Sequence, residues 1–240
     1  MNEFNVIPKW NVSDNVKILV TDKNFLSKKD FNLSYTNNNY SITKKNRECL
    51  SNILPSTPHY IKQVHGKKII YLDERKAISH VCDGIITKTK NQVISVLTAD
   101  CIPVVISSLC GSIICILHVG RKGAEYNIIN SAFKILKEYN YVFEAWIGPA
   151  ISKNYYLVDI YIKNLFEHID SQYSRFFYRN HADERFFHMD LIGIVSYQLK
   201  NNGVKNISYS ELCTVKNNNN YYSHRLNSDP KRFGTFVWFE

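Results

Sequence analysis

The sequence predicts an α+β fold: one compact domain over residues 1–240, with mixed β-sheets flanked by helices. Three observations predict it. Short runs rich in β-branched residues recur between turn residues through the middle of the chain. A few longer stretches follow the 3.6-residue helical period instead. No linker, internal repeat or shift of composition divides the 240 residues.

In chain order, residues 5–7 and 16–20 read as short strands followed by polar loop. Residues 43–54 read as a helix, stopped by Pro55. A short apolar strand at 68–72 follows Gln63-Val64-His65-Gly66. Strands at 84–87, 93–98, 104–107 and 113–118 come next, all β-branched and separated by turn residues. A helix from Gly123 to about Tyr139 has Ile128, Ile129, Ala132, Phe133, Ile135 and Leu136 at helical spacing. Residues 145–147 form a strand that ends at Gly148-Pro149. Helices at 160–169 and 190–201 follow, the second stopped by Gly203 at the C′ position. Strands at 207–210 and 235–239 close the chain.

Composition narrows the function classes. With 45% hydrophobic residues, many of them Ile, Val, Phe and Tyr, the chain is not disordered, and with 9 Gly and 6 Pro it is not collagenous. Its longest apolar runs, 93–97 and 113–117, fall far short of the roughly 18 residues that span a bilayer, so no membrane role is expected. The N-terminus lacks the basic and apolar regions of a secretory signal, which predicts a cytoplasmic protein. A net charge of +9 raises the question of nucleic acid. The lysines, however, are scattered singly or in pairs, and Asn-, Ile-, Lys- and Tyr-rich usage reflects AT-rich codons. No nucleic-acid partner is expected, and an anionic small substrate such as phosphate suits the charge equally well.

Six cysteines without a C-x-x-C pair in such a chain argue against disulfides, zinc ribbons and thioredoxin-type motifs. Cys49, Cys82, Cys110 and Cys115 read as small buried hydrophobes. Cys101 differs. The strands before and after Ser108-Leu109-Cys110-Gly111 close as a hairpin with a two-residue loop. In that register Cys101 lies opposite His118, with Cβ atoms about 5 Å apart. His65, in a turn, is the candidate third arm. A Cys-His-His set with an open fourth position has the composition of a catalytic zinc site and equally of a His₂Cys copper core; ligand type leaves both metals open. None of the other five cysteines is expected to join. Asp100 adjoins Cys101 and is the candidate to orient a ligand imidazole or relay a proton, or else a turn residue at the hairpin edge.

Five motifs occur in order: Gln63-Val64-His65-Gly66; Asp83-Gly84-Ile85-Ile86-Thr87; Thr98-Ala99-Asp100-Cys101-Ile102-Pro103-Val104; His118-Val119-Gly120 with Gly123; and Gly148-Pro149-Ala150-Ile151. With these the chain resembles the YfiH family, also called the laccase-domain or polyphenol oxidase family, whose members include peptidoglycan editing factors. The likeness runs from Ile7-Pro8-Lys9-Trp10 through Asn46-Arg47, Cys213-Thr214 and Ser223-His224-Arg225 to Val237-Trp238. It implies a YfiH-like fold and one zinc ion on His65, Cys101 and His118, with Cys101 and Asp100 at the reaction centre. It implies a purine nucleoside enzyme acting by phosphorolysis on adenosine, inosine, guanosine and methylthioadenosine and by deamination on adenosine, with nucleosides and phosphate as its partners. It also offers Arg47, Arg225 and Arg232 as phosphate contacts, and Tyr155 and Tyr156 as residues that stack on a purine or pack.

The chain departs from that family in places. His-Ala-Gly-Trp-Arg-Gly becomes His118-Val119-Gly120-Arg121-Lys122-Gly123, so Lys122, the substrate contact at the Arg position, keeps a charge but loses the bidentate fork. The aromatic-Glu-Val-Gly segment becomes Tyr156-Leu157-Val158-Asp159, without the Glu, and an early Thr-Arg-x-Gly-Gly-like segment is reduced to Thr21-Asp22-Lys23-Asn24. Three other readings compete: a copper-dependent polyphenol oxidase, disfavoured because no His-x-His pair exists to build a multicopper centre; a hydrolase editing peptidoglycan precursors; and a binder that has lost catalysis.

Overall fold

The computed structural model describes residues 8–35, 39–72 and 80–240; the strand expected at 5–7 lies outside them. Its centre is a six-stranded mixed sheet. The order runs β11 (Ile207–Tyr209), β7 (Phe143–Ile147), β5 (Ile102–Ser108), β6 (Ile114–Val119), β3 (Gly84–Thr87) and β2 (Ile69–Leu72). The two outer pairs are parallel and the inner ones antiparallel. A second, antiparallel sheet orders β1 (Val16–Val20), β12 (Phe233–Phe239) and β4 (Ile94–Thr98). Helix α1 (Tyr40–Ile53) buries Leu50 in a separate apolar cluster with Leu19, Phe31 and Phe236.

The period-two alternation of strands sorts the central sheet into two faces. Val104, Ile106, Cys115 and Leu117 face α3 (Ile128–Leu136) and α5 (Leu191–Asn201), whose Ile129, Phe133, Ile194 and Leu199 share their core. Val105, Ile114 and Ile116 face the second sheet, packing with Ile94, Val96 and Val237. Such doubly covered strands read as continuous apolar runs.

The remaining departures from expectation have local causes. The single helix expected from Gly123 begins at once after Gly120 and is split into α2 (Arg121–Glu125) and α3. Asn127 breaks it: at φ 53° it is left-handed, and its side chain caps α3 by accepting from the Asn130 N–H. Helix α5 ends as expected, with Gly203 at φ 97° and the pair of bonds Gly203 N–H to Lys200 C=O and Val204 N–H to Leu199 C=O. A small antiparallel sheet, β8 (Leu157–Asp159), β10 (Phe186–Met189) and β9 (Phe177–Arg179), lay outside the expected pattern because its strands are only three or four residues long. Two further α-helices are α4 (Ile160–Ile169), where expected, and the one-turn α6 (His224–Asn227).

The β5–β6 hairpin also differs from expectation. Pro103 pairs with His118 and Ile102 with Val119, which places Cys101 across from Gly120 instead of His118. The loop is longer than two residues because the Ser108 Oγ accepts from the N–H groups of Ser112 and Ile113, and Gly111 at φ 67° donates back to the Ser108 carbonyl. Cys110 is consequently an exposed thiol at the tip, not a buried hydrophobe, and Cys49 is only half-buried, with Lys28 Nζ 2.9 Å from its Sγ. Cys82 and Cys115 are fully buried.

This contrast is testable by denaturant unfolding. Cys115→Ala is expected to cost about 1 kcal/mol by leaving a small cavity in a packed layer, whereas Cys110→Ala changes stability by less than about 0.5 kcal/mol. Equal effects would place the two thiols in equivalent surroundings.

Candidate metal centre

The end of β4, the start of β5 and the end of β6 lie together, and the chemistry-bearing residues gather there. Asp83, which immediately precedes β3, is fully buried. Its carboxylate accepts from three successive backbone N–H groups, those of Val64 at 3.2 Å, His65 at 2.9 Å and Gly66 at 2.7 Å, and it bonds the His118 Nδ1 at 2.8 Å. Burial works to raise the Asp83 pKa, but the His118 ring and the loop amides outweigh it and hold the carboxyl below its ordinary value. The amides fix a loop in which His65 takes the left-handed conformation, φ 59°, that few side chains adopt. Gln63 braces the same loop from its other end: its Oε1 accepts from the Leu97 N–H at 2.8 Å and its Nε2 donates to the Leu97 carbonyl at 2.7 Å.

With Nδ1 committed to Asp83, His118 offers Nε2. His65, Cys101 and His118 each present one ligand atom, and these atoms lie within 4.8 Å of one another. The His65 Nε2 is 3.8 Å from the Cys101 Sγ, and the two imidazoles meet edge to face at 4.7 Å. Burial alone would raise the Cys101 thiol; His118 and His65 reverse that and bring it to about 6. Burial likewise acts to lower His118, and the Cys101 and Asp83 charges reverse it, upward to about 9. The chain approach is close enough to demand glycine at 120, where a Cβ would lie 2.9 Å from both the Cys101 Sγ and the His65 Cδ2.

The three side chains form one wall of a cleft of about 500 Å³, which Tyr35, Arg47, Gln63, Thr98, His224 and Arg232 also line. A second cavity of about 160 Å³ lies on the other side of Cys101, lined by Arg121, Tyr156, His224 and Arg225 among others. Arg47 enters the cleft sandwiched between Tyr35 and Tyr60, at 4.3 and 3.9 Å from the ring centroids, with its Nε and Nη2 on the Leu33 carbonyl. Arg232 is held by its Nη1 on the carbonyls of Asp229 and Lys231. Arg225 stacks on Tyr156 and donates to the Leu157 carbonyl. Lys122 is exposed and lines neither cavity; its neighbour Arg121 lines the second and pairs with Glu125 at 3.0 Å.

Comparison with known proteins settles the family. Residues 20–240 match the family described as multi-copper polyphenol oxidoreductase laccase. The chain is a member of this YfiH, or laccase-domain, family. A Haemophilus influenzae protein named purine nucleoside phosphorylase is 28% identical, over 97% of this chain and 98% of its own length. A Rickettsia prowazekii protein of the same name is 35% identical over 82% of this chain and 85% of its own. Among solved structures, a Neisseria meningitidis protein superposes with a TM-score of 0.87 at 23% identity, covering 98% of this chain and 99% of its own. A Bacillus licheniformis YfiH superposes at 0.85 and 22% identity, covering 97% and 94%. These two establish the mixed α+β single domain.

Within this laccase-domain chain, the carboxylate that hydrogen-bonds an imidazole of the cluster is Asp83, not Asp100. Asp100 sits at φ 86° and turns its oxygens away from the imidazoles, to the Thr214 hydroxyl at 2.6 Å, the Ser223 hydroxyl at 3.1 Å and the Arg225 N–H at 2.6 Å. It thereby ties the 214 and 223–225 segments to the loop before Cys101. Sequence reasoning quoted Asp83 without giving it a role; a carboxylate just before a β-branched strand carries no spacing signal, since its partners are 17 to 35 residues away.

Asp83→Asn keeps the size but replaces one acceptor oxygen with a donor that faces other donors. With zinc as the probe, its affinity is expected to fall 10–100-fold, roughly the loss seen when the group orienting a ligand imidazole is removed. A chelator-competition titration measures it, and unchanged affinity would detach Asp83 from the site.

Proposed function

We propose that this chain is a zinc-dependent purine nucleoside enzyme that phosphorolyses adenosine, inosine, guanosine and methylthioadenosine and deaminates adenosine. One observation carries the reading: two imidazoles and a thiolate converge in the wall of a cleft large enough for a nucleoside, among relatives named purine nucleoside phosphorylase.

The donor set fits zinc. Tetrahedral zinc with N and S ligands separates them by about 3.5 Å, close to the 3.8 Å between the His65 Nε2 and the Cys101 Sγ. The thiol's low pKa favours the ligating thiolate, and the Asp83–His118 pair supplies the carboxylate–imidazole support usual behind a ligating histidine. His65, Cys101 and His118 would hold the ion with three ligands, one fewer than a closed tetrahedral site. Zinc, when bound, supplies a Lewis acid at that wall. The chain's own groups do the rest. Arg47 and Arg232, fixed by backbone carbonyls, bring positive charge to the cleft for a phosphate oxyanion. Tyr35, partly exposed at the mouth and stacked against both the Arg47 guanidinium and Tyr40, presents an aromatic edge there to a purine. Asp100 contributes by holding Arg225 and the loop of Cys101 in register.

A second reading is copper-dependent polyphenol oxidation, favoured by the His₂Cys donor set and the wording of the family description. A multicopper centre needs several donor clusters, and among the described residues His65, Cys101 and His118 form the single group.

Purified protein incubated with adenosine, inosine or methylthioadenosine, with and without phosphate, tests both readings by liquid chromatography alongside metal analysis. Free base is expected only with phosphate, inosine from adenosine without it, and one zinc per chain. Cys101→Ala should lose zinc and lower turnover at least about a hundredfold while remaining folded. Blue absorbance with one copper per chain would favour oxidation, and bound zinc without turnover would leave only a binding role.

A further inference from the structure

The smaller cavity beside Cys101 gathers hydrogen-bond donors that nothing in the described chain accepts from. Arg121, Arg225 and Tyr156 all line it. Arg225 has no carboxylate partner among the described residues: its Nη1 donates to the neutral Leu157 carbonyl, and its guanidinium lies 4.9 Å from the Tyr156 ring centroid. Arg121 bonds Glu125 through Nη1 alone. The Nε and Nη2 of both guanidinium groups are therefore without a hydrogen bond among the described residues. Asp100 also lines the cavity, but its oxygens are taken by the Thr214 and Ser223 hydroxyls and the Arg225 backbone N–H, and it bonds neither guanidinium. Tyr156 is a neutral phenol: burial and the Cys101 charge push it up to about 12, with Arg225 and Arg121 acting the other way. Ile151 and Leu191 complete the wall with buried apolar surface, beside which a charge interaction is stronger than in open water.

Size narrows what such donors can hold. About 160 Å³ is well below the roughly 300 Å³ at which pockets take drug-sized ligands. A tetrahedral oxyanion, comparable to a few waters of about 30 Å³ each, fits. Guanidinium groups only donate, a neutral phenol can donate, and the guanidinium fork matches the spacing of phosphate oxygens.

We propose that this cavity is an oxyanion subsite, built by Arg121, Arg225 and Tyr156 for a phosphate group and separate from Arg47 and Arg232 of the cleft. It goes beyond the nucleoside reading and does not depend on it, since binding is measured without turnover. Arg121 makes the subsite particular to this chain, because the family pattern has at that position a tryptophan, with one donor and no charge.

Equilibrium dialysis of the purified protein against labelled inorganic phosphate is the test, with melting temperature as the check on folding. Wild type is expected to bind phosphate at a site for which sulfate competes and chloride at matched ionic strength does not. Arg121→Gln should weaken that site about tenfold or more, the loss of one charged hydrogen-bonding partner. Tyr156→Phe should weaken it about threefold, the worth of one neutral hydrogen bond. Glu125→Gln, which releases Arg121 from its carboxylate, should tighten it about threefold. Phosphate held in the cleft is insensitive to these changes, so binding that ignores Arg121→Gln, or no binding to wild type, overturns the assignment. If Arg121→Gln melts more than about 5 °C lower, its loss of binding marks a damaged fold and Glu125→Gln decides: a tighter site upholds the proposal and an unchanged one overturns it. A purine nucleoside 5′-monophosphate distinguishes the source. Displacement of bound phosphate by it, lost in Arg121→Gln, assigns the subsite to a nucleotide's phosphate group, and no displacement assigns it to free phosphate.

Discussion

The candidate site depends on one buried carboxylate. Asp83 is fully buried, so its charge must be met by protein donors, and four of them meet it: three consecutive amides of the 64–66 loop and the His118 ring. A carboxylate so surrounded is stable as an anion, and the donors are fixed by it in return. With a single group it places both imidazoles of that wall, His65 through the loop amides and His118 through its ring. The left-handed backbone of His65, which by itself costs free energy, is offset by those bonds. The Gln63 amide, matching both backbone groups of Leu97, anchors the loop to β4 so that the imidazole is held from two elements.

The rest of the geometry follows from where the packing between the two sheets ends. The apolar rows that fill the space between them run out after Ile116 and Val105, and the next residues on that face are His118, Pro103 and Cys101. Polar side chains are tolerable there because the cleft opens at that end. Gly120 completes the arrangement, since any side chain would occupy the space shared by the thiol and the imidazole.

Much of this was legible in the sequence, and the reasons differ by element. Strands β3 to β6 were visible because burial on both faces leaves continuous β-branched runs. The hairpin was read in the wrong register, yet Cys101 and His118 still fall on one face. The loop turned out two residues longer, and a shift by two preserves the side-chain period where a shift by one would have separated the pair. The helix break at Asn127 escaped the periodicity because apolar spacing is nearly continuous through it; an asparagine able to adopt φ 53° was the available signal. The convergence of His65, Cys101 and His118 was readable from residue type and motif order, whereas the place of Asp83 was not, because it depends on contacts that no local pattern encodes. Lys122, the residue at the family's Arg position, lies in solvent on the outer side of a one-turn helix whose buried positions are Gly123 and Ala124.

Two departures from the family pattern, those at 121 and 157, have a common electrostatic sense. At the position where the family typically carries a Glu, Leu157 meets Arg225 with a backbone carbonyl, which bonds the guanidinium but does not neutralise it. In place of the family's Trp, Arg121 adds a second cation to the same small cavity, offset only in part by Glu125. Asp100, the nearest acid, has its oxygens occupied by Thr214, Ser223 and the Arg225 backbone. The region beside Cys101 is thus more cationic in this chain than the family pattern implies. A thiolate is stabilised by such surroundings, and so is an oxyanion brought beside it. The changes at 121 and 157 therefore leave the clustered donors His65, Cys101 and His118 untouched while shifting the charge of the space next to them.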